Sequence, residues 1–283
     1  MREPAAACAA YTLRQEFRYD YPGPIHELHH RLIVAPPERY GDQRRVSHRL
    51  VVTPPLAVRW NDDAFGNLVA TIEAPVLHDA IGLAYEAVVE RSDPRAPDLD
   101  ERALLDPRYR QPSGLTVPGA ELRAAAAELA EPGAPPLELA ERIGRYVFDR
   151  MRYVPDATTV ATTAAQAFHL GTGVCQDYAH VMIALCRLTG IPARYVSGHL
   201  LGEGGTHAWV EVLHRDADGT ARAHGFDPTH ARRTSVNYVF VAAGRDYADV
   251  PPTSGCFVAP YAGQFTARRS LTPIGAGAGT AHP

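Results

Sequence analysis

The chain has 283 residues, of which 46% are hydrophobic and 21% charged, enough apolar material for one large domain or two ordinary ones with full cores. A formal net charge of −4 gives no electrostatic case for nucleic acid or an anionic membrane as partner. No run of residues approaches the roughly 18 apolar positions that a spanning helix needs.

From the start of the chain, MREPAAACAAYTLRQEF lacks the continuous apolar stretch of a signal peptide, so none is expected. Residues 11–91 read as all-β. Short runs such as Leu68-Val69-Ala70-Thr71-Ile72 and Tyr85-Glu86-Ala87-Val88-Val89 are separated by turn signals at Pro36-Pro37, Pro54-Pro55, Asn61-Asp62-Asp63 and Gly66-Asn67. That spacing predicts a small sandwich over 1–92. His26, His29 and His30 form a HxxHH cluster, but strand-like surroundings without supporting carboxylates make them surface or edge histidines rather than metal ligands. Pro94, Pro97, Pro107, Pro112 and Pro118 then mark 93–119 as a linker.

Two helices are predicted next, one over the Ala- and Glu-rich 120–130 and one over 137–153, where Leu137, Ala140, Ile143, Val147 and Met151 make an apolar stripe. Both are packing elements. After the turn Gly171-Thr172-Gly173, Cys175 opens a third helix with apolar residues at Tyr178, Ala179, Met182, Ile183 and Cys186. A cysteine on an apolar helix is more often a core residue than a nucleophile. At a helix start, however, unpaired backbone N–H groups favour thiolate over thiol. Thr189-Gly190-Ile191-Pro192 ends the helix.

Successive strands follow at 193–201, 206–214, 221–226 and 236–242, giving an α+β core with helices on one side of an antiparallel sheet. His207 begins one of these strands, in THAWVEV, and Asp227 ends the next, in HGFDPTH. If the two strands are antiparallel neighbours, both residues stand at one rim of the sheet, within reach of the Cys175 helix. Thiol catalysis needs this layout: an imidazole to move the proton and a carboxylate to orient it. Around them, Gln176 is a candidate oxyanion donor through its side-chain amide. Asp177 is read as structural, accepting from backbone or from Arg194. Tyr178 and His180 are close in sequence, His180 as a packed residue. Trp209 shares a face with His207 and is placed to shield it, while Tyr195, Ser197 and His199 alternate on the preceding strand and are placed to line the cleft. A Cys175–His180 metal pair fails, because positions five apart do not share a helix face.

GVCQDYAHVMIALCRLTGIPARYVSGHL, HAWVEV and GFDPT closely resemble the core of the bacterial transglutaminase-like cysteine proteases and amidases. Asp63-Ala64-Phe65-Gly66-Asn67 resembles the β-rich domain that precedes this core in bacterial members, and 244–252 resembles the segment that follows it. The resemblance runs from about Tyr11 to Tyr261. It implies a papain-like core over 120–265, leaving 266–283 as a flexible tail. It also implies Cys175 as nucleophile, His207 as general base and acid, and Asp227 as the orienting carboxylate. The activity so implied is amide-bond hydrolysis through a thioester, with a peptide or small amide as substrate and no cofactor or metal. Two alternatives stand beside it: a transglutaminase-type acyltransferase to an amine, and a non-catalytic module that holds a protein partner through its N-terminal β domain. Four cysteines (Cys8, Cys175, Cys186, Cys256) without CxxC spacing suggest neither a disulfide framework nor a zinc knuckle and point to a reducing cytoplasm.

Overall fold

Alternation of buried and exposed side chains shapes the N-terminal third. In the computed structural model, which describes residues 9–92 and 95–275, β1 (Ala9–Asp20) turns Tyr11, Leu13, Gln15 and Phe17 inward. Six further strands follow: β2 (Ile25–Leu32), β3 (Arg39–Tyr40), β4 (Gln43–Thr53), β5 (Val58–Asp62), β6 (Leu68–Leu77) and β7 (Ala80–Arg91). β7 buries Ile81, Leu83, Tyr85, Ala87 and Val89 with the same period of two. Ile33 and Val34 lie just past the end of β2. They are buried as irregular chain, with Val34 O accepting from Gln15 Nε2 at 2.9 Å. The HxxHH cluster is split by the pleat. His30 is buried and its Nε2 lies 2.8 Å from Thr253 Oγ1, a correction to its expected place at the surface, while His29 is exposed.

Residues 95–119 form three single 3-10 turns rather than a bare linker, two of them N-capped by Asp100 and Asp106. The core begins with α1 (Ala120–Leu129) and α2 (Pro136–Arg150), then β8 (Arg152–Tyr153), α3 (Ala164–Leu170), β9 (Thr172–Gly173) and α4 (Cys175–Leu188). Residues 176–187 of α4 are buried on every side, so this is the central helix of the core. It packs against α1, α2, α3 and the sheet made by β10 (Ala193–Leu200), β11 (His207–Arg215), β12 (Ala221–Asp227), β13 (Arg232–Arg233) and β14 (Tyr238–Gly244). The sheet order is β13-β12-β11-β10-β14.

β16 (Gln264–Pro273) overturns the expected tail, and with β15 (Thr253–Val258) before it the chain returns to the N-terminal unit and adds an edge strand to each of its sheets. β16 pairs with β1 from Asp20↔Gln264 to Tyr11↔Pro273, and β15 pairs with β2. The sheets read β16-β1-β7-β4-β3 and β15-β2-β6-β5. Both strands occupy sheet edges and between them fully bury only Leu271, so their sequences carry little apolar alternation. The rest of the expected tail, 276–283, and Cys8 lie outside the described residues.

Two amide side chains tie the sandwich to the core. Gln43 Nε2 donates to Phe240 O at 2.9 Å, and its Oε1 accepts from Phe240 N at 2.8 Å. Asn67 does the same at Ala243, donating to its O and accepting from its N at 2.9 Å each. Each amide stands in for a neighbouring strand along the edge strand β14, whose peptide groups would otherwise be buried unpaired. Asp63 builds the turn that presents Asn67, accepting from the N–H groups of Phe65 and Asn67. Among the described residues, no helix is long and apolar enough to cross a membrane.

Candidate active site

Cys175 is the first residue of α4 and is half-buried. The approach to it is sterically fixed. Gly171 takes φ +66° to end α3, and a Cβ on Gly173 would fall 2.6 Å from the Asp177 side chain. Asp177 secures the helix start, accepting from Val174 N at 2.8 Å and from Thr158 Oγ1 at 2.6 Å.

His207 is the first residue of β11 and Asp227 the last of β12, each 1% exposed. The strands are antiparallel neighbours, with Val210 opposite Phe226, so the start of one meets the end of the other. His207 Nε2 lies 2.8 Å from Asp227 Oδ2. Burial by itself would lower the pKa of His207, but its bond to Asp227 and the nearby Cys175 and Glu203 outweigh that and push it up to about 11. Burial would raise that of Asp227. The bonds that its Oδ2 accepts from His207, from Tyr238 Oη at 2.6 Å and from His230 Nδ1 at 2.8 Å instead hold it at about 2. The pair is therefore an imidazolium facing a carboxylate, with the Cys175 thiol within hydrogen-bonding reach of the same ring.

Trp209 packs on the His207 ring at 6.4 Å between centroids and 25° between planes, and meets Tyr238 edge-on at 5.5 Å. Room for the indole comes from Gly198, opposite His207 on β10, where a Cβ would stand 2.4 Å from Trp209.

Other expectations are corrected. Gln176 Nε2 donates to Val160 O at 3.3 Å, which occupies one of the two N–H groups of the expected oxyanion donor. Arg194 does not reach Asp177. It bonds Glu211 at 2.9 Å and Tyr40 at 2.8 Å, because β10 directs it to the opposite side of the sheet from α4. Tyr195, Ser197 and His199, expected along a cleft, are buried because both faces of β10 are covered. Tyr195 packs on His180 and Tyr247, and burial and the nearby Cys175 push its phenol well up. Tyr178 is buried with its ring facing Tyr153. His180 Nε2 accepts from Tyr247 N, which holds it as a packed residue.

Three residues around the site carry no local sequence signal of their role. Tyr238 and His230 both donate to Asp227, and Glu203 Oε2 stands 2.9 Å from His207 Nδ1. That contact is an ion pair set off the N–H line, since Nδ1 has no aligned hydrogen-bond partner. Glu203 sits on the turn begun by Gly202 at φ +93°.

Residues 11–90 match the family described as bacterial transglutaminase-like N-terminal region, and 123–220 match the transglutaminase-like superfamily core. An uncharacterized protein of Mycobacterium tuberculosis (strain H37Rv) is 28% identical over 280 residues, spanning 89% of this chain and 88% of its own. One from Mycobacterium leprae is 28% identical over 214 residues, 69% of this chain and 74% of its own. The solved structure "Putative Cysteine Protease from Cytophaga hutchinsonii" superposes with a TM-score of 0.77 over 95% of this chain and 92% of its own. Its 21% identity makes that a likeness of fold.

Proposed function

We propose that this chain, in which a transglutaminase-like core follows a bacterial transglutaminase-like N-terminal region, is a cysteine-dependent amide hydrolase acting through Cys175, His207 and Asp227. The observation that carries the reading is the 2.8 Å contact between His207 Nε2 and Asp227 Oδ2, beside a thiol at a helix start. With Nε2 committed to Asp227, Nδ1 is the nitrogen that holds the proton taken from Cys175, so the resting pair is a thiolate beside an imidazolium. The thiolate attacks the amide carbonyl. The oxyanion so formed is met by the Cys175 backbone N–H, which as the first of the helix has no intrahelical acceptor. His207 then protonates the departing amine, leaving a thioester on Cys175, and water activated by the same imidazole releases the acid.

For Nδ1 to serve Cys175, the carboxylate of Glu203 must swing aside, and its place on a half-exposed glycine turn allows it. The substrate class is a peptide or small amide, and a free thiol nucleophile suits the cytoplasm. Screening the purified chain against amide and peptide libraries, with Cys175→Ala as control, tests the reading. Equal turnover by the two proteins would refute it.

A further inference from the structure

We infer that Glu203, His207 and His230 form a binding site for a divalent transition-metal ion of the zinc type, and that an ion there and catalysis exclude one another at His207 Nδ1. The ligand atoms of these three residues lie within 4.8 Å of one another. His207 Nδ1 is 2.9 Å from Glu203 Oε2, and His230 Nε2 is 3.5 Å from Glu203 Oε1. Nitrogen and oxygen ligands about 2.0–2.2 Å from a tetrahedral zinc stand roughly 3.3 Å apart, so these gaps bracket the required spacing.

Asp227 orients both rings. Its Oδ2 lies 2.8 Å from His207 Nε2 and 2.8 Å from His230 Nδ1. An ionised carboxylate only accepts, so each ring turns an N–H to Asp227 and directs its other nitrogen toward Glu203. This is the carboxylate–histidine–metal arrangement in which the outer carboxylate fixes ring orientation and strengthens the ligand. Here a single aspartate serves two histidines.

Electrostatics favours a cation between His207 Nδ1 and Glu203. Nδ1 is buried without an aligned hydrogen-bond partner, and Glu203 Oε2 lies 2.9 Å away off the N–H line, so an ion that binds both atoms has to displace the Nδ1 proton. A metal ion set to one side of the line bonds both atoms. The carboxylates of Glu203 and Asp227 together balance a charge of two, and two imidazoles with one carboxylate suit zinc rather than magnesium or calcium. The exclusion rests on the proposed role of His207 toward Cys175: an ion on Nδ1 leaves no base for the thiol, so zinc holds the enzyme idle until it is removed.

The site is tested by calorimetric titration of chelator-stripped full chain with zinc chloride, in wild type, Cys175→Ala, Glu203→Gln and His230→Gln. One ion is expected to bind per chain in wild type and in Cys175→Ala. Affinity is expected to fall at least about tenfold in Glu203→Gln and in His230→Gln. Glu203 is on a half-exposed turn, so that substitution leaves the fold in place, which circular dichroism checks. Loss of binding in Cys175→Ala would mean that zinc sits on the thiolate, and unchanged affinity in Glu203→Gln would mean that it sits elsewhere. Either result overturns the site, and neither depends on the enzyme being active. Amide cleavage by wild type that persists with zinc bound would overturn the exclusion alone.

Discussion

His207 Nε2 and Asp227 Oδ2 lie 2.8 Å apart although twenty residues separate them, and both side chains are almost wholly buried. Their pKa values are driven apart, to about 11 and about 2, by their mutual contact together with Cys175 and Glu203 beside His207 and Tyr238 and His230 on Asp227. Folding therefore strengthens proton binding at His207 and weakens it at Asp227.

The consequence for stability has a definite sign. The His207 contribution is whole below its ordinary value of 6.5 and is lost as pH rises toward about 11. The Asp227 contribution is whole above 3.8 and is lost as pH falls through about 2. The stability gap between wild type and His207→Gln is thus expected to be widest from about pH 4 to 6.5 and to shrink steadily above that. Urea denaturation of both proteins across pH measures it. A gap that widens from pH 7 to 10 contradicts the ion pair.

Asp227→Asn keeps the shape of the carboxylate but gives the site a donor where an acceptor is needed. Amide cleavage is expected to fall by about 10²–10⁴-fold, the usual reach of positioned acid–base catalysis. Alkylation of Cys175 by iodoacetamide is expected to slow with it, while that of exposed Cys256 stays constant. Steady-state kinetics and peptide mass mapping read both effects, and unchanged rates would remove Asp227 from the mechanism.

Gly198→Ala is expected to damage stability and site together. The new Cβ would stand 2.3 Å from Val239 O and 2.4 Å from the Trp209 ring. The backbone oxygen cannot retreat, so Trp209 must, and it leaves the face of His207. Overpacking of this sort costs about 1–3 kcal/mol, or a fall of several degrees in Tm. A wild-type melting curve would show that β10 has slack that the structure does not contain.

Asn67→Ala removes the amide that pairs both peptide groups of Ala243. Each buried group left unsatisfied costs about 1–3 kcal/mol. Hydrogen exchange at the Ala243 amide is expected to accelerate well beyond that at Val239, which stands opposite His199 of β10. Equal protection before and after would mean that the sandwich and core are held by apolar contact alone.

How much of this was legible in the sequence depends on where each residue stands in its element. Cys175, His207 and Asp227 each begin or end a regular element, beside glycine turns or a strand-stopping proline, so local pattern placed them at one rim. Glu203, His230 and Tyr238 converge on the same spot from a glycine turn, a loop and another strand. Their meeting is tertiary and leaves no spacing to read. Tyr195, Ser197 and His199 were misplaced because alternation gives the face of a strand but not whether that face is covered. β16 was missed because a strand at a sheet edge can keep its side chains in water while one side of its backbone pairs with its neighbour. Gln43 and Asn67 are polar residues whose work is done on backbone far along the chain.

The central claim is that acyl groups pass through the sulfur of Cys175. Wild-type protein mixed with a cleavable amide, quenched in acid and digested, is expected to yield the Cys175 peptide carrying the substrate acyl group. Cys175→Ala is expected to yield neither that adduct nor product. Product formation by Cys175→Ala at the wild-type rate, or an acyl group found on another residue, would contradict the account.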